Sequence, residues 1–176
     1  MDIDPQEEYR EIGAFYDAVV PLLDWPDETL YRVAGEVSAW SPAKHLFHIL
    51  RANGMMLKGI HLICQSHRMT ANEGAPNDAG RYMLAHGFVR GQGKAPEAVV
   101  PPDDVSREAL QDSLARSRKK YDETAAYLAA LPDATGRIPH EFLGTLDGSQ
   151  WLRLARLHSE HHLAIIRDIV GQEETA

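Results

Sequence analysis

The sequence predicts an all-α protein built on four long helices. Three observations predict it. Apolar residues recur at 3- and 4-residue spacings along four segments. Each segment opens near a proline or a side chain suited to capping a helix. No stretch of convincing length alternates apolar and polar residues as a half-buried strand would. At 176 residues, the chain suffices for one well-packed domain over 1–176 and is short for two.

The first helix is expected from Pro5 to Val20. Pro5 stands where a missing N–H costs nothing, and Glu7 and Glu8 favour the positive end of the helix dipole. Ile12, Phe15, Tyr16 and Val19 form its apolar face, and Pro21 and Pro26 interrupt the helical pattern after Val20. The second helix opens at "WSPAK", with Ser41 as N-cap and Pro42 at the first position, and runs to about Ser66. The third runs from Ser106 to Leu131, where Pro132 stops it, and "RSRKKYDE" is its solvated face. The fourth opens at "DGSQW". Asp147 and Gln150 have the spacing of a capping box, and Gly171 is the expected stop.

Between the second and third helices lies a long connection, 69–105, rich in Gly and Pro. "GRYMLAHGF" within it can form a short helix. The rest either lines a pocket or simply crosses the bundle surface. "GQGK", from Gly91 to Lys94, lacks the preceding strand and the spacing of a phosphate loop.

Composition narrows the function. The formal charge is −8 and the Lys and Arg residues are scattered, which is unsuited to binding nucleic acid or anionic lipid. No run approaches the roughly 18 apolar residues of a membrane span. The amino terminus, "MDIDPQEEYR", has no export signal, and the single cysteine, Cys64, forbids an intrachain disulfide. A cytoplasmic protein is expected. Cys64 itself reads as a buried, inert thiol.

The last helix carries the functional signal. "LARLHSEHHLAII" places three histidines, His158, His161 and His162, within five residues of an apolar pattern. At about 100° per residue, Trp151, Ala155, His158, His162, Ile165 and Ile169 fall within about 40° of one line. Arg153, Arg156, Glu160 and Arg167 lie opposite, and His161 is at the edge. Imidazoles four residues apart can converge on one ion. A buried imidazole without a partner costs about 1–3 kcal/mol, and a metal relieves two at once. The plainer alternative is a wet core in which both bond to backbone or water. A third ligand would come from "SPAKHLFHILRANGMM", where His45 and His48 both qualify. Lys44, Arg51 and Lys58 mark the wet side of that helix, and His45 lies slightly further from it. Periodicity does not choose between them.

"WSPAKHLFHI", followed about 110 residues later by "HSEHH", resembles the DinB/YfiT-like superfamily of metal-binding four-helix bundles. "IPHEFLGTLDGSQWLRLARLH" resembles one of its branches. The resemblance implies an up-down-down-up bundle with a long crossover between the second and third helices. It implies metal ligands at His48, His158 and His162, which leaves His45 and His161 as supporting, pocket or plain structural residues; His140, in the loop before the last helix, is a pocket residue or an ordinary loop histidine. One departure is Ile165, where the family often has Gln nearby. Enzymes of the family use low-molecular-weight thiols, so the resemblance implies a divalent-metal-dependent, thiol-transferase-type enzyme with a small-molecule substrate.

Three neutral imidazoles suit zinc or nickel and leave a coordination position open, as catalytic sites do. Two other readings stay open: hydrolysis by a metal-bound water, and a non-catalytic bundle that is held by a structural metal or has none. Sequence places no acid or base at the site. Glu160 points away, Glu141 and His140 can approach only one end of the bundle, and Tyr121 and Tyr127 read as packing residues. Both a monomer and a homodimer are compatible with the size.

Overall fold

The computed structural model describes residues 3–91, 93 and 95–171. The four expected long helices are α1 (Pro5–Val19), α3 (Pro42–Cys64), α5 (Arg107–Thr124) and α6 (Gly148–Gly171). A short α2 (Asp27–Leu30) follows α1, and α4 (Asp78–His86) lies in the crossover, where "GRYMLAHGF" foretold a helix. Among the described residues, no helix is long and apolar enough to cross a membrane.

The caps are those that the sequence supplies. Asp4 accepts from the Gln6 N–H at 2.9 Å, Ser41 from Lys44 at 3.4 Å and Ser106 from Ala109 at 3.2 Å. Asp147 and Gln150 form the reciprocal box. The Gln150 N–H donates to Asp147 Oδ1 at 2.9 Å, and the Asp147 N–H donates to Gln150 Oε1 at 3.0 Å. Helix α6 is described through Gly171, and the residues after it lie outside the described residues, as do Gln92 and Lys94 of "GQGK".

Contacts between the helices establish their directions. Tyr9 stacks on Tyr121 and Tyr16 bonds Ser117, so α1 runs antiparallel to α5. The Cβ position of Gly54 faces Ser117, and His61 bonds Thr124, so α5 runs parallel to α3. His45 meets His162 and His48 meets His158, while Ile63 approaches Gly148, so α6 runs antiparallel to α3. The result is the up-down-down-up order, and the segment between α3 and α5 is the long crossover. One continuous core joins Ile12, Tyr16, Leu46, Ile49, Leu57, Leu110, Leu152 and Ile166, among others.

Two expectations are corrected. Helix α5 ends at Thr124, not Leu131, and the chain continues as 3₁₀ turns at Ala125–Tyr127 and Leu131–Asp133. The Thr124 hydroxyl donates back to the Lys120 carbonyl at 2.7 Å, and the Ala125 N–H reaches the Asp122 carbonyl, which tightens the turn. The Ala-rich stretch after it has helix propensity that this geometry overrides.

The chain also contains strands, where none was expected. β1 (Arg137–His140) pairs antiparallel with β2 (Gly144–Asp147), in register Ile138↔Leu146. Four-residue strands offer too few alternations for a period-2 pattern to be recognised. The hairpin is clamped by the crossover, through bridges Ala71↔Arg137 and Pro76↔Gly144. Gly144 has φ +81, and an added Cβ would lie 2.6 Å from the Asn77 nitrogen, so both conformation and space require glycine.

Candidate metal centre

The centre forms where the start of α3 faces the middle of α6. Ser41 and Pro42 fix the first turn of α3, which carries His45 and His48 into the core. On α6 the apolar stripe faces inward as the periodicity implied, and Trp151, Ala155, His158, His162, Ile165 and Ile169 are all buried. Glu160 is exposed on the far side and pairs with Arg156.

The structure brings His48, His158 and His162 together. One nitrogen of each lies within 4.8 Å of the others, and all three residues are buried. Their ring centroids are 4.6–4.9 Å apart. His48 Nε2 lies 3.0 Å from His158 Nε2. His48 Nδ1 lies 2.9 Å from the Val99 carbonyl oxygen, which can only accept. The His48 proton is therefore on Nδ1, and a lone pair is at Nε2. A carbonyl behind the distal nitrogen is the usual means of orienting a ligating histidine.

His45 belongs to the same cluster. Its Nδ1 lies 2.9 Å from His162 Nδ1, and its Nε2 lies 2.9 Å from Ser38 Oγ. His161 is half-exposed at the rim, its ring 5.0 Å from His162 and 5.5 Å from Phe88. His140 stands apart. It is near enough for a like-charge effect on His158 but shares no hydrogen bond or ring contact with it. Its Nδ1 accepts from the Phe142 N–H at 3.1 Å, within its own hairpin, and its ring lies 5.5 Å from Trp151.

Burial keeps these rings neutral. Desolvation pushes His45 down to about 4, with the nearby His48 adding to the effect. His48 is lowered by burial, partly opposed by its bond to Val99. Burial, then His48, holds His158 well below the usual imidazole range, and burial, then His158, lowers His162. Burial, then Arg90, lowers His161, and burial also lowers His140. The neutral imidazole is the form that ligates metal.

The residues fit a divalent cation. Three neutral imidazoles are a donor set for zinc or nickel. Donor nitrogens around a tetrahedral ion with bonds of about 2.0–2.1 Å lie roughly 3.3–3.5 Å apart, which small side-chain rotations reach from the observed cluster. His158 Nδ1 is buried and has no hydrogen-bond partner among the described residues, so hydrogen bonding alone does not satisfy the cluster.

Trp40 opens the motif that carries the family resemblance, whereas Phe88, Val99 and Ser38 carried no sequence signal. Trp40 covers one side, 5.4 Å from the His45 ring and 5.2 Å from that of His48. Phe88, just after α4, lies 5.3 Å from His158 on another. Val99 acts through its backbone, and Ser38 comes from an irregular loop. Among the described residues, no carboxylate is hydrogen-bonded or ion-paired to the three ligand candidates. Of the other side chains considered, Cys64 is half-buried and burial raises its thiol pKa. Tyr121 stacks on Tyr9, and Tyr127 accepts a hydrogen bond from Gln65 at 2.6 Å. Glu141 is exposed on the hairpin.

The model of the DinB superfamily matches residues 13–166 of the chain. No curated protein and no solved structure matches it.

Proposed function

Since the chain belongs to the DinB superfamily, we propose that it is a divalent-metal-dependent enzyme of the thiol-transferase type, with His48, His158 and His162 as the metal ligands. The observation that carries the reading is the meeting of three buried imidazoles from two non-consecutive helices, with the His48 lone pair aimed at its neighbour by the Val99 carbonyl. Zinc and nickel suit this donor set best. Three protein ligands leave a coordination position for an exogenous group. A divalent ion held there supplies Lewis acidity, favouring the thiolate of a bound thiol or lowering the pKa of a bound water.

The chain's own residues do the rest. Trp40 and Phe88 pack their rings against His48 and His158, adding apolar surface that lowers the polarity around the centre and so strengthens electrostatic interactions there. His161, half-exposed beside His162, is the histidine of the cluster that a small-molecule substrate would meet under this reading. Among the described residues no carboxylate contacts the cluster, and the choice of a thiol over water as nucleophile rests on the family resemblance.

Metal analysis of protein loaded with zinc or nickel is the first test. A near-stoichiometric content is expected, with loss in His158→Ala; failure of the loaded protein to retain either ion overturns the proposal. Cobalt-substituted protein is the second. Adding a low-molecular-weight thiol should bring sulfur-to-cobalt absorption into the spectrum. An unchanged spectrum overturns the thiol assignment and favours water as the nucleophile or a structural role.

A further inference from the structure

The metal-facing candidates differ in what stands behind them. His48 has a backbone carbonyl behind Nδ1. Behind His162 stands not a carbonyl or a carboxylate but His45, with the two Nδ1 atoms 2.9 Å apart. His45 is 2% exposed, and its remaining nitrogen lies 2.9 Å from Ser38 Oγ. Ser38 Oγ in turn accepts the Trp40 N–H at 3.1 Å.

From this chain we infer that His45 is a positioning residue that selects the tautomer of His162. The reading rests on the proposed metal centre. A neutral imidazole carries one proton. If His162 keeps it on Nδ1, its lone pair is at Nε2 and free for a cation; if the proton moves to Nε2, that atom can no longer ligate. The Nδ1 proton needs an acceptor in a buried site, and His45 Nδ1 is the atom within reach. His45 can accept there only if its own proton is on Nε2, and Ser38 Oγ accepts that one. The hydrogen bonds therefore run in one direction: His162 Nδ1–H to His45 Nδ1, then His45 Nε2–H to Ser38 Oγ. Ser38 has a second lone pair for the Trp40 N–H, so both nitrogens of His45 and the Nδ1 of His162 are paired, and the half-buried Ser38 can turn its own hydroxyl hydrogen to solvent.

The relay performs with a side chain what Val99 performs for His48 with its backbone. It also ties the ligand on α6 to the loop before α3. The rotation of His162 about its side-chain bonds is thereby linked to the conformation of the segment holding Ser38 and Trp40. Substitution of groups behind metal ligands commonly weakens metal binding by about 10- to 100-fold.

Three variants test the inference. His45→Leu keeps the volume and removes the acceptor. His45→Asn restores an acceptor oxygen at the position of Nδ1. Ser38→Ala removes the end of the relay without altering either histidine. Zinc affinity by competition with a chelating dye is expected to fall about 10- to 100-fold in His45→Leu, to recover most of that loss in His45→Asn, and to fall less in Ser38→Ala. Long-range nitrogen–proton NMR of the metal-free protein should report His162 as the Nδ1–H tautomer in the parent and as a mixture in His45→Leu. The unfolding midpoint serves as a control for a structural role, since a packing defect would lower stability without moving the tautomer. Unchanged zinc affinity in His45→Leu, or an Nε2–H tautomer of His162 in the parent, would overturn the inference while leaving the metal centre intact. Absence of zinc binding in the parent would overturn the metal centre itself. If His45→Leu does not fold, Ser38→Ala and the parent tautomer decide the matter.

Discussion

Helix α6 carries two buried polar clusters on opposite faces, and they are built in opposite ways. Toward α1, Glu8 is 2% exposed and lies between Arg153 and Arg156. Arg153 Nη1 donates to Glu8 Oε1 at 2.7 Å and its Nε to the Leu84 carbonyl at 2.7 Å. Arg156 bonds the other Glu8 oxygen and also reaches Glu160 at 2.6 Å. Charge is matched, and the carboxylate oxygens are occupied. Toward α3, the imidazoles have no counter-charge among the described residues. They are held neutral by burial, and His158 Nδ1 lacks a hydrogen-bond partner. Every carboxylate oxygen of Glu8 in the first cluster has a protein partner, whereas the second leaves one buried ring nitrogen without one among the described residues. A polar cluster that closes on itself locks packing, and one that stays open points to a ligand.

The sharpest way to break this contrast is to remove Glu8. Glu8→Gln takes the carboxylate from Arg153 and leaves Arg156 with Glu160 alone, and should cost about 3 kcal/mol, the range for breaking a buried ion pair. Urea denaturation measures it; the folded fraction should retain its zinc content. A loss below the error of the measurement would mean that the arginines find water instead.

The next effect belongs to the other face. Zinc or nickel at a hundredfold excess over Kd should stabilise the parent by about 2.7 kcal/mol by mass action. His158→Ala should abolish that gain, with little change in the stability of the metal-free protein. A thermal shift that persists in the variant would place the ion elsewhere.

A smaller effect is expected where the helices meet at a neutral polar contact. Asn53, fully buried on α3, donates to Ser159 Oγ at 2.8 Å, and the Ser159 hydroxyl donates to the Ala155 carbonyl. Ser159→Ala leaves the Asn53 amide unpaired and should cost about 1–2 kcal/mol. Zinc affinity should stay within error, although Ser159 adjoins His158; a large drop would show that this contact also orients the ligand. The smallest effect is the capping box of α6, where Asp147→Ala should cost about 1 kcal/mol by chemical denaturation and leave the metal centre unaffected.

The histidines and the arginines were legible to different degrees. The period of α6 placed His158 and His162 on its inward line, because one face of a long helix is buried whatever covers it. The same period placed Arg153 and Arg156 opposite; α1 covers that face, and its buried Glu8 holds both arginines half-buried against the bundle. On α3, helix geometry leaned slightly toward His45 without choosing between the two, and the family resemblance pointed to His48. The structure puts both in one cluster, His48 against His158 and His45 against His162. Helical geometry ranks positions by angle, and a helix buried around most of its circumference offers two inward positions with little to separate them.

Taken by itself, the sequence determined the four long helices, most of their ends, the inward line of α6 and the identity of the imidazoles that could meet there. These depend on local chemistry: caps, prolines and apolar spacing act within a few residues. Only the tertiary structure decided the early end of α5, the Arg137–Asp147 hairpin, the burial of Glu8 and the partners of each ring nitrogen. Those depend on which backbone carbonyl or loop hydroxyl arrives from a distant part of the chain. The Val99 carbonyl and Ser38 hydroxyl are unmarked in sequence, because every residue has a carbonyl and many loops have a serine. Their roles come from position alone, 2.9 Å from an imidazole nitrogen in each case.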